Sequence, residues 1–345
     1  MIGAFPTIVD VASRTDGEGN MPLVAEMLSQ ANEMYADMPY VKASEKTGHL
    51  FVFRTSMPAG SWRQYNVGTS PSKSTTGKGR VGIGMLTAYS VVDRTLAEHT
   101  GDAAAFRRSE DVAFLEGMSQ TIAQTIIYGN TAVNPATFQG LSTFYNTVNI
   151  NNAQNAANVL DGGGVGSSNT SLWYIGWGEE AIFAIYPDGS HAGLDFEDKG
   201  DVRAAYDSVG NPYEAYTGYF QQQMGLVPKD WRWGARLCNI DVTTAGLAGP
   251  GAIDIFATMA EMAFFFPKNT SATSGITKTD APNEASVRAC WYGNRTMLHW
   301  MQVQAMRDRN VLLRLDDYAG RVTDTWRGQP VRVCDQILNS ESRVV

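Results

Sequence analysis

Cysteine is scarce: three residues in 345, Cys238, Cys290 and Cys334, lie far apart and form no Cys-x-x-Cys pair. That excludes a disulfide framework or a cysteine-based zinc site, and buried, reduced thiols are expected. The four histidines, His49, His99, His191 and His299, show no ligand spacing and no partnered catalytic arrangement. Lysine and arginine total 27 against 35 acids, a net charge of −8. A dedicated nucleic-acid binder would carry the opposite excess. No run approaches the roughly 20 apolar residues of a membrane span; the longest candidate ends at Phe266 and is stopped by Pro267. The N-terminus has no basic region followed by an apolar run, so a chain without secretory leader, made in a cytoplasm, is expected. No Gly-x-Ser-x-Gly elbow is present.

What is present is core-forming material. Hydrophobic residues make up 43% of the chain, enough to exclude global disorder, and the length suggests two or three lobes. Residues 1–48 read as an arm: a turn-rich start, then Leu23, Met27, Leu28 and Met34 at helical spacing, ended before Pro39. Residues 49–100 read as a hairpin. Residues 50–55 alternate loosely and residues 63–67 alternate better, whereas residues 68–84 are a Gly/Ser/Thr-rich loop with Lys73, Lys78 and Arg80 as its only charges. Loops of that length are usually functional or disordered. A polar hairpin so long buries no core of its own and becomes stable only against something outside the monomer.

Asp102 is a good N-cap, with Ser109 as a possible second start, and Leu115, Met118, Ile122 and Ile126 form one apolar stripe that ends at Gly129. Residues 102–128 therefore predict one long helix. Residues 170–240 turn to β pattern, with Trp173, Trp177, Trp231 and Trp233 explained by core packing and a turn at Asn211-Pro212. In residues 230–241, Trp231, Trp233, Ala235 and Leu237 fall on one face and Arg232 and Arg236 on the other. Further on, Ile253, Phe256, Met259, Ala260, Ala263 and Phe264 predict a helix, residues 268–284 a polar loop, and Asn294 caps a helix through Met297, Met301, Ala305 and Met306. Arg307 and Arg309 suit its C-terminal end. A short strand follows at Pro330-Val331-Arg332-Val333.

Two phosphate-loop patterns fail on context. Gly77-Lys78-Gly79-Arg80-Val81-Gly82 matches GxGxxG, but the residues around it read extended rather than as a strand opening a helix. Lys73-Ser74 follows Gly68 at a suggestive distance, but Ser72 stands where the glycine before the lysine should be. The adjacent acids Glu179-Glu180 and Asp316-Asp317 are best read as solvated charge. Trp62 differs from the other tryptophans: on a projecting hairpin it needs a partner surface. The candidate contact residues are thus Trp62, Arg63, Lys73, Lys78 and Arg80, with no catalytic, metal or cofactor residue among them.

The stretch GHLFVFRTSMPAGSWRQYNVG, the SPSKSTTGKG that follows, and the run from GIGMLTAYSVVD to QTIIYGN resemble major capsid proteins of short-tailed double-stranded-DNA bacteriophages, the epsilon-fifteen-like and Bordetella-phage-like group. RACWYGNRTMLHWMQVQAMRD and RGQPVRVCDQIL resemble the axial helix and strand of the wider Hong Kong 97-type shell fold. The resemblance implies an α+β fold with an N-terminal arm (1–48), an extended loop (49–100), a peripheral domain with spine helix and long strands (101–240) and an axial domain (241–345), in permuted connectivity. It implies a non-enzymatic head-shell subunit. Its partners would be its own hexamers and pentamers, scaffolding protein, portal and a cementing protein, with DNA met only by enclosure and no membrane contact. It would reside in the virion, and in the host cytoplasm during assembly. Covalent cross-linking is not implied. Two other readings stay open at this point, a bacterial nanocompartment (encapsulin-like) shell and a β-rich nucleotide-binding enzyme.

Overall fold

The structure is a computed structural model, which describes residues 30, 32–99, 102–190, 192–199, 203–206, 209–243, 247, 252–267, 287–307, 313–318 and 321–345. The expected helix through Leu23 and Leu28, the polar loop at 268–284, Arg309, and the side chains of Asp316 and Asp317 lie outside what is described.

After a single helical turn at Met34–Asp37 come four strands: β1 (Tyr40–Lys42), β2 (Gly48–Ser56), β3 (Thr75–Gly82) and β4 (Gly84–Asp93). A short helix, Arg94–His99, leads into the long helix Ala103–Tyr128. That helix is unbroken at Ser109. Its start is fixed by the Asp102 carboxylate accepting from Ala105 N–H at 2.9 Å, and its end by Gly129 N–H on Thr125 O at 2.8 Å. Met118, Ile122, Ala123, Ile126 and Ile127 are buried along its second half. Leu115, read as part of the stripe, is exposed instead.

The next group is β5 (Val159–Asp161), β6 (Asn169–Trp177), β7 (Ile182–Tyr186), β8 (Leu194–Asp198), β9 (Arg203–Tyr206), β10 (Pro212–Pro228) and β11 (Gly234–Asp241). The helix Ile255–Phe265, β12 (Arg288–Gly293), the helix Arg295–Arg307, β13 (Leu313–Tyr318), β14 (Arg321–Trp326) and β15 (Gln329–Val333) complete the described elements. Asn294 caps its helix as expected, its Oδ1 accepting from Met297 N–H at 2.9 Å. Phe264 and Met306 sit on their helices but point to solvent.

The main sheet runs β13-β14-β15-β12-β6-β7-β10-β4, with β11 also on β6, β5 on β11, β1 on β7, and β8 and β9 on β10. All nine residues of β6 are buried, because sheet neighbours and both flanking layers close over it. β6 lies between β11 and β12, so one sheet takes strands from both sides of residue 240, with a register shift between Leu237 and Ile240. The seventeen residues of β10 change character at Gly225. Phe220, Gln222 and Met224 alternate with part-exposed Tyr219, Gln221 and Gln223 while the strand pairs with β4 and β8, and then Gly225–Pro228 pair with β7 and are wholly buried. Phe114 of the long helix stacks on Phe220, ring centroids 6.3 Å apart, and so covers one face of the first half.

The alternation read over residues 230–241 is corrected. Trp231–Trp233 form a 3-10 turn, with Asp230 accepting from Arg232 N–H, and the strand begins only at Gly234. Both faces of β11 are covered, so Arg236 is buried rather than solvated.

Candidate assembly interface

β2 and β3 form a two-stranded ribbon apart from the main sheet. Its register sets Phe51 opposite Gly79 and Phe53 opposite Gly77. The aromatic rings lie across the two glycines: a Cβ on Gly79 would stand 2.5 Å from Phe51 Cζ, and one on Gly77 2.9 Å from Phe53 Cζ. Thus the glycines that suggested a loop belong to a strand, and they are glycine because rings occupy the space a side chain would take. Residues 63–67, read as strand-like, are the loop. Gly77 and Gly79 open no helix, so the dinucleotide context is missing here too.

The base of the ribbon is anchored. Val81 packs with Ala43, Phe183, Ile185 and Val227, and Phe51 and Ile83 flank that cluster. His49 stands edge-on to Phe183 at 5.7 Å, and its Nδ1 accepts from Ser44 N–H at 3.2 Å. Desolvation first, and then the charge of Lys229, hold the His49 pKa below its ordinary 6.5. Arg80 is tied to Glu45 at 3.1 Å and to Thr47 at 3.0 Å.

The tip, residues 57–74, has no such support. Trp62 is 104% exposed, Tyr65 97% and Met57 81%, and Val67 is also open. A large apolar side chain left in water forgoes roughly 1.5–3 kcal/mol of burial. The tip is held only by local bonds, such as Arg63 Nη1 to Val67 O at 3.2 Å and Ser72 Oγ to Ala59 O at 2.9 Å, with Asn66 in the left-handed region at φ 64°. Lys73 and Lys78 are exposed and make no ion pair among the described residues. Trp62, Arg63 and Lys73 therefore share the tip, Lys78 lies mid-ribbon, and Arg80 belongs to the base. They line one projecting arm and converge on no pocket.

Sequence reasoning missed the polar ties that hold the chain ends to the sheet. Arg236 and Glu341 form a buried ion pair at 2.9 Å, each 4% exposed. Arg236 also bonds Ser171 Oγ and Tyr145 O and lies over the Trp173 ring, while Tyr128 and Ser171 hydroxyls donate to the Glu341 carboxylate. Farther along the tail, Val344 exchanges two 2.8 Å bonds with the Asn239 amide. Near the other end of the described chain, Asp37 accepts from Tyr292 OH at 2.7 Å and faces Arg288 and Arg332 at 3.0 and 3.4 Å. No local signal marks partners a hundred or more residues apart.

No cluster of His, Cys, Asp and Glu among the described residues could hold a metal ion. Burial pushes the thiol of Cys238 up to about 11 and those of Cys290 and Cys334 up to about 12, which makes them poor nucleophiles. No described helix is long and apolar enough to cross a membrane.

The sequence profile of the family described as "Major capsid protein GP7" matches residues 16–345. A solved structure of bacteriophage epsilon15 is 30% identical with a TM-score of 0.74, and the match covers 100% of this chain and 98% of that one. The capsid of bacteriophage JBD30 matches at 9% identity and TM-score 0.49, over 90% of this chain and 93% of that one. An encapsulin from Synechococcus elongatus matches at 8% identity and TM-score 0.42, over 70% and 97%. No curated protein sequence gives a significant match.

Proposed function

The chain belongs to the major capsid protein GP7 family and is a head-shell protein of a phage with the Hong Kong 97-type fold, and from that premise we propose that its β2–β3 hairpin joins each subunit to the next. The observation that carries the proposal is the tip: an anchored ribbon presents Trp62, Tyr65, Met57 and Val67 to solvent with nothing of its own chain beneath them. Aromatic anchors of this kind become favourable when a partner buries them, and the partner available in a shell is another copy. Many weak, repeated contacts close into a stable whole while each early contact stays reversible.

Copies assemble into a multimeric shell, and the protein resides in the virion. We extend the proposal to hexameric and pentameric rings, with a scaffolding protein and portal during assembly in the host cytoplasm and a cementing protein outside. The work of the chain is packing rather than catalysis, so no cofactor is needed, and DNA is met by enclosure. Within the subunit, the proposal keeps an N-terminal arm (1–48), an extended loop (49–100), a peripheral domain built on the long helix (101–240) and an axial domain (241–345). Replacing residues 57–74 with a short turn tests the central claim. Sedimentation should find folded, unassembled subunits. Shells formed at normal yield without the tip would remove it.

A further inference from the structure

Where the long helix ends, the chain builds a cleft that carries no charge. Gly129 and Gly140 bring the helix end and the helical turn Leu141–Phe144 into backbone contact. Gly140 N–H donates to Gly129 O at 2.8 Å, and a Cβ on Gly140 would stand 2.5 Å from Thr125 O. The space beside them is about 440 Å³, within the usual range of small-ligand sites. It is lined by three carboxamide residues, Asn130, Gln139 and Asn146, two hydroxyl residues, Ser142 and Thr143, and two aromatics, Tyr128 and Phe144. Tyr128 is neutral as well, since burial first, and then the Glu341 charge, hold its hydroxyl well above the ordinary 10. Several of these groups are committed on one side only. Asn130 Oδ1 accepts from Ala132 N–H at 2.9 Å, which leaves its NH2, and the Thr143 hydroxyl donates to Gly140 O at 2.7 Å, which leaves its lone pairs. Gln139 is the sharpest case. Its Nε2 meets Thr131 Oγ1 at 2.7 Å, while its Oε1 is buried with no partner among the described residues. Turning the amide over only exchanges the end left bare, and a bare buried polar atom is unfavourable until something supplies the bond. The wall behind is fixed. Tyr145 OH donates to Trp231 O at 2.7 Å, Arg236 Nη1 to Tyr145 O at 2.9 Å, and the Asn155 amide to Phe144 O.

We propose that this cleft binds one unit of a neutral saccharide. A sugar hydroxyl gives and takes hydrogen bonds at once, which matches a lining of free NH2 groups, lone pairs and an unpartnered amide. Its C–H face suits the rings of Tyr128 and Phe144. Phosphate, carboxylate and ammonium guests find no counter-charge in the lining. A peptide is the competing neutral guest, but its groups repeat along a line and are ordinarily met by the edge of a sheet, and no described strand contributes to this cleft. Repeated over many copies, weak single contacts sum to a firm grip on a polymer of such units.

Saturation-transfer NMR on the full-length protein, dissociated into subunits, tests this with glucose, mannose, galactose and N-acetylglucosamine as probes. At least one should receive saturation and titrate with a millimolar constant. Asn146→Ala, at an exposed position, should weaken binding about two- to tenfold, the worth of one neutral hydrogen bond. Gln139→Leu, which removes both ends of the amide, should abolish it. Thermal melts check that each variant folds, and the exposed Asn146 position keeps the test decisive if Gln139→Leu does not fold. No transfer from any of these sugars overturns the proposal, as does transfer that Asn146→Ala leaves unchanged. Stronger transfer from N-acetyl-triglycine amide than from any sugar would assign the cleft to peptide and overturn it too. Passing shells over a dextran column separates the sources. Retention that is lost in Asn146→Ala assigns the ligand to a polysaccharide, and free passage of shells whose subunits bind glucose assigns it to a free sugar.

Discussion

Removing the Glu341 carboxylate isolates one buried charge and so measures how the C-terminal tail is held. In Glu341→Ala the Arg236 guanidinium stays where it is, 4% exposed, with Ser171 Oγ and Tyr145 O as its remaining partners and its 2.9 Å counter-charge gone. The Tyr128 hydroxyl loses its acceptor as well. Breaking one side of a buried pair costs about 3–5 kcal/mol, because the survivor is left charged and dry. A typical domain is stable by only about 5–15 kcal/mol, so the variant should be severely destabilised. Replacing both partners with apolar residues, Arg236→Met with Glu341→Leu, should cost far less, since neither charge then needs water. Urea unfolding of dissociated subunits gives the three free energies, and the cycle should show a coupling of at least about 2 kcal/mol. A loss below about 1 kcal/mol in Glu341→Ala, or a double variant as unstable as the sum of the singles, would refute the reasoning.

Three other outcomes are expected. Gly79→Val should force the Phe51 ring off β3 and speed hydrogen exchange at the Phe51 amide, while nucleotide binding, measured calorimetrically, stays undetectable in both proteins. The pKa of His49 is depressed on folding, so above 6.5 its neutral form costs nothing; as pH falls below 6.5 the unfolded chain takes the proton first, and stability drops until the folded pKa is passed. Protonation at Nδ1 also removes the acceptor for Ser44 N–H, so exchange at that amide should accelerate in mild acid, and His49→Phe should abolish this pH dependence. Finally, Cys238, Cys290 and Cys334 should resist iodoacetamide at pH 8 in the folded chain and react fully in urea, as followed by mass spectrometry.

Features governed by neighbours in sequence were legible. The long helix is announced by Asp102, a periodic apolar stripe and Gly129, all local, and its limits follow from them. Asn294 and the turn before β10 are of the same kind. Features governed by distant neighbours were not. Gly77 and Gly79 look like loop residues until Phe51 and Phe53 are seen lying over them from the partner strand. Arg236 looks solvated because alternation assumes one wet face; β11 has none, and the compensating Glu341 lies 105 residues away. Leu115, Phe264 and Met306 show the converse, since apolar spacing does not say that a surface exists to receive them. Of the candidate contact residues, Trp62 was identified by a general argument about projecting aromatics, and the same argument extends to Tyr65 and Met57.

β10 carries a mechanical consequence. Seventeen residues at about 3.3 Å each make a rod of about 56 Å whose first thirteen residues belong to the outer layer of strands and whose last four are clamped in the fully buried centre. A rod clamped at one end is a lever. The free length from Pro212 to Gly225 is about 43 Å, so a tilt of about 5° at the clamp moves the far end by about 4 Å, close to one strand spacing. Small repacking around Gly225–Pro228 is thereby magnified at the outer end of the strand, around Pro212, so the position of that surface is set where side chains are least free to move.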